Sequence, residues 1–480
     1  MTDASRTFMD KENDVVIESI LLSGDNSPVN PVTNIPESVD ILELVNSFSI
    51  FEDINSPFVV GEVTISDRLN MIDRVPIVGN EKIAITFRTP TNDRVRFMTF
   101  RVVGQKRRVR SRGSKTDVIV LRLMSESSAS DELIVSSRTL KGNCSKIIED
   151  LITEFSLGLK RDDPLIEETE SNSFKFVTPF LTPSQMIKKL CKLSYPKNSK
   201  SPTKNAGYVF FETIDRFIFS SVNSLMNRDP KFVFGDLENI RELTDDIQNP
   251  LRGDFGSRVE FATNNLIGNE SFDKKTPQKF GAFCNLNYTH DLFRKSWGRE
   301  FYIYTDDADP FADFTQRSVP TNQGYVTLED RKKVINDNNA IYKLPTKVNF
   351  YPQHATAADE ADGNPSTDPG EILYDIDRHS NSNIIMLGET QYQFETSGSS
   401  ELSAGDTVFL RLTKNVSDAE LKVSDEDPEK SGTYLIKSIH HFFVVNDKVQ
   451  SYKTSLRVVR NYRHIEVPSV SNLNFDGVIR

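Results

Sequence analysis

Cysteine, tryptophan and histidine are scarce in this 480-residue chain, at three, one and six residues. Cys144, Cys191 and Cys284 stand 47 and 93 residues apart, a spacing that excludes CxxC chemistry, and their odd number argues against a disulfide framework. Buried free thiols, in a protein made in reducing cytoplasm, are expected instead. No apolar run approaches the roughly 18 residues of a membrane-spanning helix, so no membrane insertion is expected. The opening stretch MTDASRTFMDKEND has no apolar segment of the kind a signal peptide requires. No G-x-x-x-x-G-K-[ST], G-x-S-x-G or H-E-x-x-H pattern occurs, and Gly113-Ser114-Lys115-Thr116 fails the phosphate-loop spacing. His440 and His441 are adjacent, so a strand would point them to opposite faces and they could not grip one metal together. His290, His354, His379 and His464 sit in unrelated contexts, as surface or structural residues. The acidic run Asp306, Asp307, Asp309 and Asp313 lacks the spacing and the glutamate of a calcium loop. Asp359-Glu360-Ala361-Asp362 spells a helicase signature, but in a linker. No catalytic, cofactor or metal residue is therefore assigned; paired carboxylates for glycoside cleavage stay open, because their separation is a property of three dimensions.

What is abundant is phenylalanine, 32 residues of it, suited to burial on sheet faces. Hydrophobic content is 37% and mean hydropathy −0.42, the balance of a soluble protein with much loop. The length exceeds what one core serves, so several domains are expected. Net charge is −11, which makes a nucleic-acid grip a poor fit and suits a surface that DNA slides past, or simply a soluble one.

The stretch Phe48 to Phe87 reads as three strands. Val59, Gly61, Val63 and Ile65 alternate with polar neighbours, as do Ile83, Ile85 and Phe87, which is the period of a sheet with one dry face. Ser56-Pro57 and Pro76 with Gly79-Asn80 supply turns, and Asp67 is placed to cap a short helical turn over Arg68 to Ile72. Around this stretch, Val15 to Leu22 and Ile41 to Ile54 read as strands, Met98, Phe100 and Val102 alternate, and so do Ile119, Leu121 and Leu123. Between the last two sets lies KRRVRSRGSK, Lys106 to Lys115, read as a solvated hairpin tip or a basic finger that touches an acidic neighbour. No aromatic residue interleaves its charges, which weighs against single-stranded nucleic acid.

From about residue 129 the period changes. Ile147, Ile148, Leu151, Ile152 and Phe155 share a helical face after Ser145, and Gly158 ends the run. Thr182-Pro183-Ser184-Gln185 spells a capping box with proline at the first helical position, ahead of Met186, Ile187, Leu190 and Leu193. GYVFFETIDRFIFSSV reads as a hairpin turning at Asp215-Arg216. RGDFGSRVEFAT, residues 252–263, reads as a strand. The region 276–375 is polar and linker-rich, with Trp297 and the aromatic run Phe301–Tyr304. Ile384 to Leu387 closes a short helix; Val408, Leu410 and Leu412 alternate after a Gly405-Asp406 turn; two long strands flank Asn446-Asp447-Lys448. Asp425-Glu426-Asp427 reads as a charged hairpin tip.

Three sets of residues carry a family resemblance. The order IFEDI, SPF, GEVTISD, Asn70, PIVGNE resembles the first tube-type domain of the central baseplate hub protein of contractile-tailed bacteriophages, a relative of tail-tube subunits and type VI secretion spikes. FKFVTPFLTP with GYVFFETIDRFIF resembles the module that follows it. GSSELSAGDTVFL, YLIKSIHHFF and YKTSLRVVRN resemble the second tube-type domain, with residues 252–263 as its entry strand. The resemblance implies a mainly-β fold with an α+β insert: a flexible N-terminus (1–12), a first tube-type β-barrel (13–128), an α/β module (129–245), a second, discontinuous barrel (246–275 and 376–466), an inserted region (276–375) and a C-terminal tail (467–480). It implies a virion structural protein without enzymatic activity or cofactor, located in the tail baseplate and assembled in the host cytoplasm. Its expected partners are two further copies in a homotrimer, the tail tube or its initiator ring, the central spike, and baseplate wedge and tape-measure proteins, with DNA as passing cargo. Two barrels per chain would let a threefold ring meet a sixfold tube. Glu52, Asp53, Pro57, Gly61, Asp67 and Gly79 are the residues marked as critical to assembly, and Lys106, Arg107, Arg108, Arg110 and Arg112 as a candidate interface loop. Another tube-adaptor ring protein is the alternative in the same class; a tail-associated peptidoglycan hydrolase, with its cleft in 276–375, is the alternative from another.

Overall fold

A computed structural model describes residues 15–24, 38–67, 77–89, 92–110, 116–156, 162–169, 174–197, 207–235, 263–270, 280, 284–291, 295–303, 319–321, 324–326, 347–353, 380, 384–385, 387–388, 390–412, 427, 430–445 and 450–460. The helical turn over Arg68–Ile72, Pro76, Arg112, Gly158, residues 252–262 of the strand read at 252–263, the acidic run at 306–313, Asp425-Glu426 and the turn at 446–448 lie outside the described residues.

The chain is mainly β, with a smaller helical part. The first block contains β1 (Val16–Ser23), β2 (Val39–Asp40), β3 (Val45–Asp53), β4 (Val60–Asp67), β5 (Lys82–Thr89), β6 (Asn92–Arg110) and β7 (Asp117–Ser125). The expected strand from Ile41 to Ile54 starts late, because Leu42–Leu44 form a 3₁₀ turn that buries Leu44. Next come the helix Glu126–Leu133, β8 (Thr139–Gly142), the helix Cys144–Phe155, β9 (Leu165–Ile166), β10 (Phe174–Val177), the helix Pro183–Cys191, β11 (Tyr208–Glu212), β12 (Phe217–Ser221), the helix Val222–Met226 and β13 (Phe232–Gly235). The last part holds β14 (Asn264–Glu270), β15 (Cys284–Asp291), β16 (Ser296–Ile303), β17 (Val319–Thr321), β18 (Gly324–Val326), β19 (Lys347–Gln353), β20 (Thr390–Ser397), β21 (Thr407–Arg411), β22 (Gly432–Val445) and β23 (Gln450–Arg460). Within the inserted region, β15 pairs with β16 and β19, and β17 with β18.

Local chemistry explains the α/β module. Asn143 caps the helix Cys144–Phe155, accepting the Ser145 amide, so the helix starts two residues before the position that Ser145 suggests. Thr182 and Gln185 form the expected capping box, with Pro183 at the first turn. The hairpin β11–β12 forms in register, Tyr208 opposite Ser221 and Glu212 opposite Phe217. Phe58, from the turn after β3, enters this module's core and meets Phe155 edge-on at 5.5 Å.

Two strand-rich blocks join in one 13-stranded sheet. Around the first core the strands run β1-β5-β6-β7-β4-β3, and around the second β13-β21-β22-β23-β20-β14. In chain order the two series match strand for strand. Four of the five pairings in each are antiparallel in both; the exception is β13, which lies parallel to β21 where β1 is antiparallel to β5. Finer features recur as well. Asn80 (φ +72°) donates to Val102 and Val102 to Glu81, as Gly405 (φ +84°) donates to Ile436 and Ile436 to Asp406. A bulge against β7 falls between Val102 and Gly104, and one against β23 between Ile436 and Ser438.

The blocks share their central hairpin. β22 pairs with β21 through Gly432–Leu435, then with β3 through Ser438–Val444. Phe443, Val445 and Tyr452 thereby enter the first core. There Phe443 stacks between Phe48 (4.2 Å, 12°) and Tyr452 (4.2 Å, 3°), with Phe87 edge-on at 4.9 Å. Each such buried aromatic contributes about 2 kcal/mol of burial, and more for ring geometry.

Candidate assembly interface

The stretch singled out from sequence lies where the first block, the second block and the α/β module converge. Glu52 is an interior residue of β3 and fully buried. Its Oε1 accepts the Ile214 amide and its Oε2 the Ala404 amide, each at 2.8 Å, so one carboxylate holds the β11–β12 turn and the loop before β21. Hydrogen bonds to a charged acceptor are the stronger class, and burial raises the cost of losing them. Asp53 is local: its Oδ1 accepts the Asn55 amide in the turn after β3. Pro57 precedes Phe58 and so sets the chain that enters the module's core. Gly61 lies against β3, where a Cβ would meet the Ser49 carbonyl at 3.1 Å. Asp67 is buried at the end of β4, opposite Asp117. Gly79 (φ +107°) donates its amide to the carboxylate of Glu81 in the turn before β5.

Three further residues join this junction, two of them, Arg96 and Glu212, not singled out from sequence. Arg96 occupies an inward position on β6, in series with Met98, Phe100 and Val102; it is buried, pairs with Asp215 and donates to the Ser400 carbonyl at 3.0 Å. Glu212 accepts the Val59 amide at 2.8 Å and the Ser125 hydroxyl at 2.6 Å. His441 faces inward on β22 while His440 stacks on Phe51 at 4.3 Å, so the two histidines do diverge. In each case a polar residue stands at a position the alternating pattern reserves for apolar ones, and that was the legible signal.

His441 lies 3.9 Å from Glu52, yet it is not a cation at neutral pH. Burial, then the charges of His440 and Arg96, hold its pKa down at about 3. The hydrogen bonds agree. The Tyr452 hydroxyl gives its proton to the Ser399 carbonyl (2.9 Å), so His441 Nδ1 donates to that hydroxyl (2.7 Å) and Nε2 carries no proton. Gly398 lies flat on Tyr452, where a Cβ would come within 2.2 Å of the ring, and the Ser399 amide donates to Thr454. The residues of GSSELSAGD, HHFF and YKT thus meet in one place.

The first half of the basic run is strand, and residues 111–115 lie outside the described residues. Lys106 to Arg110 continue β6 beside β7, because Val120, Ile119 and Val118 extend the ladder to Asp117. Lys106 pairs with Glu62 and Arg108 with Asp117, each at 2.6 Å, and Gln105 to Arg110 are all exposed. Elsewhere Glu126 receives Arg101 and Lys82; burial acts to raise its pKa, but these cations prevail and lower it. Among the described residues no group of three or more His, Cys, Asp or Glu is arranged for a metal ion.

These features define a class: a mainly-β chain of two alike strand blocks, locked to an α/β module by buried polar clamps. No family model and no curated protein matches the chain. Among solved structures it is similar to the tail protein from Neisseria meningitidis MC58 (9% identity, 93% of this chain and 97% of that one, TM-score 0.47). It is similar to the 43 kDa tail protein of prophage MuSo2 from Shewanella oneidensis (11% identity, 92% and 98%, TM-score 0.44). A third similar structure is an E. coli component of the type VI secretion system, described as resembling T4 bacteriophage tail proteins gp27 and gp5 (11% identity, 95% and 80%, TM-score 0.41).

Proposed function

We propose that this chain is a structural protein of a phage tail baseplate, the central hub, three copies of which form a ring that joins the sixfold tail tube to the threefold spike. The observation that supports it most is the repeated strand order, with its repeated bulge and turn, in two blocks of one polypeptide. Three copies then present six similar blocks to the tube, and a closed ring leaves no sheet edge unpaired. The sequence resemblance covers the same two blocks. The tail tube or its initiator ring is the partner on one side, the spike on the other, with wedge and tape-measure proteins around them. Three chains at −11 each carry −33, and acids on the inner wall repel DNA as it passes. Glu52 serves assembly by fixing the first block against its neighbours, and Asp53, Pro57, Gly61, Asp67 and Gly79 by shaping that block's own strands and turns, so that its outer edges are presented rigidly.

The test is the mass of the purified protein in solution by light scattering, followed by imaging of the particle end-on. A species of three times 54.4 kDa with a central hole and six lobes is expected. A stable monomer, or a ring without a passage, overturns the proposal.

A further inference from the structure

In the α/β module, four large apolar side chains turn away from the core: Leu133, Val135, Val177 and Phe180 are 86%, 54%, 65% and 78% exposed. Strand register brings them together. β8 pairs with β10, Thr139 opposite Val177, and the ladder runs on through the Thr178–Arg138 bond to the bridge between Ser136 and Leu181. Along this ribbon Leu133, Val135, Ser137, Thr139 and Lys141 are exposed, and the residues between them are covered or partly covered. Leu140, on the inner face, shares the core of the helices Cys144–Phe155 and Pro183–Cys191.

Phe180 owes its position to a bulge. Pro179 and Phe180 stand opposite the single residue Ser137, between the Thr178–Arg138 and Leu181–Ser136 bonds. Bulges re-aim side chains, and a left-handed position in one usually falls to glycine. Here a phenylalanine takes it, at φ +43°. That backbone is strained for a bulky residue, and the strain turns an aromatic ring into solvent, where it adds little to the fold. The sequence agrees. A strand with one wet face alternates, whereas Leu133-Ile134-Val135 and Phe180-Leu181 are apolar on both sides, the pattern of strands covered on both faces.

We propose that the outer face of this ribbon docks a single amphipathic helix of another protein. Width and charge choose the occupant. Two strands are about 10 Å across, the diameter of one helix, and Val135 to Lys141 spans about 20 Å, or roughly four helical turns. The outward residues between Glu132 and Lys141 carry no charge. Glu132 is exposed at one end and Lys141 at the other, with Lys175 opposite Lys141 in the register. A helix whose N-terminus lies toward Glu132 and whose C-terminus lies toward Lys141 has its dipole matched at both ends. Its apolar stripe at i, i+3, i+4 and i+7 meets the four side chains, with Phe180 as anchor. The module occurs once per chain, so the site does not depend on the ring proposed above; in that ring it recurs three times.

The probe is a synthetic peptide of about four helical turns with one leucine stripe, carrying a photoreactive group at either end and added to the full chain. The N-terminal label is expected to cross-link near Glu132 and the C-terminal label near Lys141. Phe180→Asp should weaken binding at least about tenfold. Phe180→Gly, which relieves the bulge, should weaken binding as well yet leave Tm unchanged or raised. Absence of binding, cross-links elsewhere or without polarity, or a Tm lowered by Phe180→Gly overturns the site. Self-association that Phe180→Asp abolishes gives the ribbon to a second copy and overturns it too. Failure of the ring is read separately, from the mass of the unaltered chain.

Discussion

His441 offers a quantitative test of how the two blocks are locked. In the folded chain its pKa is about 3, against 6.5 for the ordinary side chain. The folded state therefore holds fewer protons than the unfolded state between these values, and stability rises with pH across that window. It is fully present above about pH 6.5 and is lost as the pH falls toward 3. At pH 5 the gap to 6.5 is about 1.5 units, or about 2 kcal/mol. For a cooperative unit of a few hundred residues this lowers Tm by roughly 4–8 °C. His441→Phe keeps a planar aromatic ring, though a larger one, and removes the titration, and the Tyr452 hydroxyl keeps its bond to the Ser399 carbonyl. Thermal unfolding of both proteins at pH 7 and pH 5 isolates the term, since all other groups cancel in the double difference. The wild-type protein should lose more Tm than the variant by that amount. Equal losses would refute the assignment of a neutral, buried His441.

Glu52→Ala leaves the Ile214 and Ala404 amides without their acceptor, and should cost about 2–4 kcal/mol in denaturant unfolding, whereas Asp53→Ala, on an exposed turn, should cost about 1 kcal/mol or less. Comparable costs would show that Glu52 is not the clamp. Gly398→Ala drives a Cβ into Tyr452 and should sharply reduce soluble yield, while Gly104→Ala, with nothing within 4 Å, should not. Cys144 and Cys191 are held up at about 11 and about 12, chiefly by burial, so peptide-level alkylation at pH 8 should be far slower than for a free thiol until the chain unfolds. Labelling of either at the free-thiol rate would contradict their burial.

Much of the local structure was legible before any coordinates. Period-two alternation placed β4, β5, β6 and β7 with their dry faces correctly, because one buried face imposes that pattern on every residue of a strand. The capping box at Thr182 and the turn at Asp215-Arg216 were equally readable, since both are satisfied within a few residues. Charge alone did not show where the strand ends: Lys106 to Arg110 are strand only because they pair with β7. Glu52 was marked as critical to assembly, but its two amide partners come from positions 214 and 404, which no local pattern connects to it. Arg96 and Glu212 were passed over, and His441 was weighed only as a metal ligand, because an inward polar group is explained only by a partner distant in the chain.

By itself, then, the order of residues determined where strands, caps and turns form, and that the chain holds two strand-rich blocks. Tertiary structure alone decided that β22 and β23 serve both cores and that the two blocks repeat one strand order. Strand pairing is a contact between backbones, and backbones carry no record of their partner; the choice is made by which buried side chains fit together when the sheet closes.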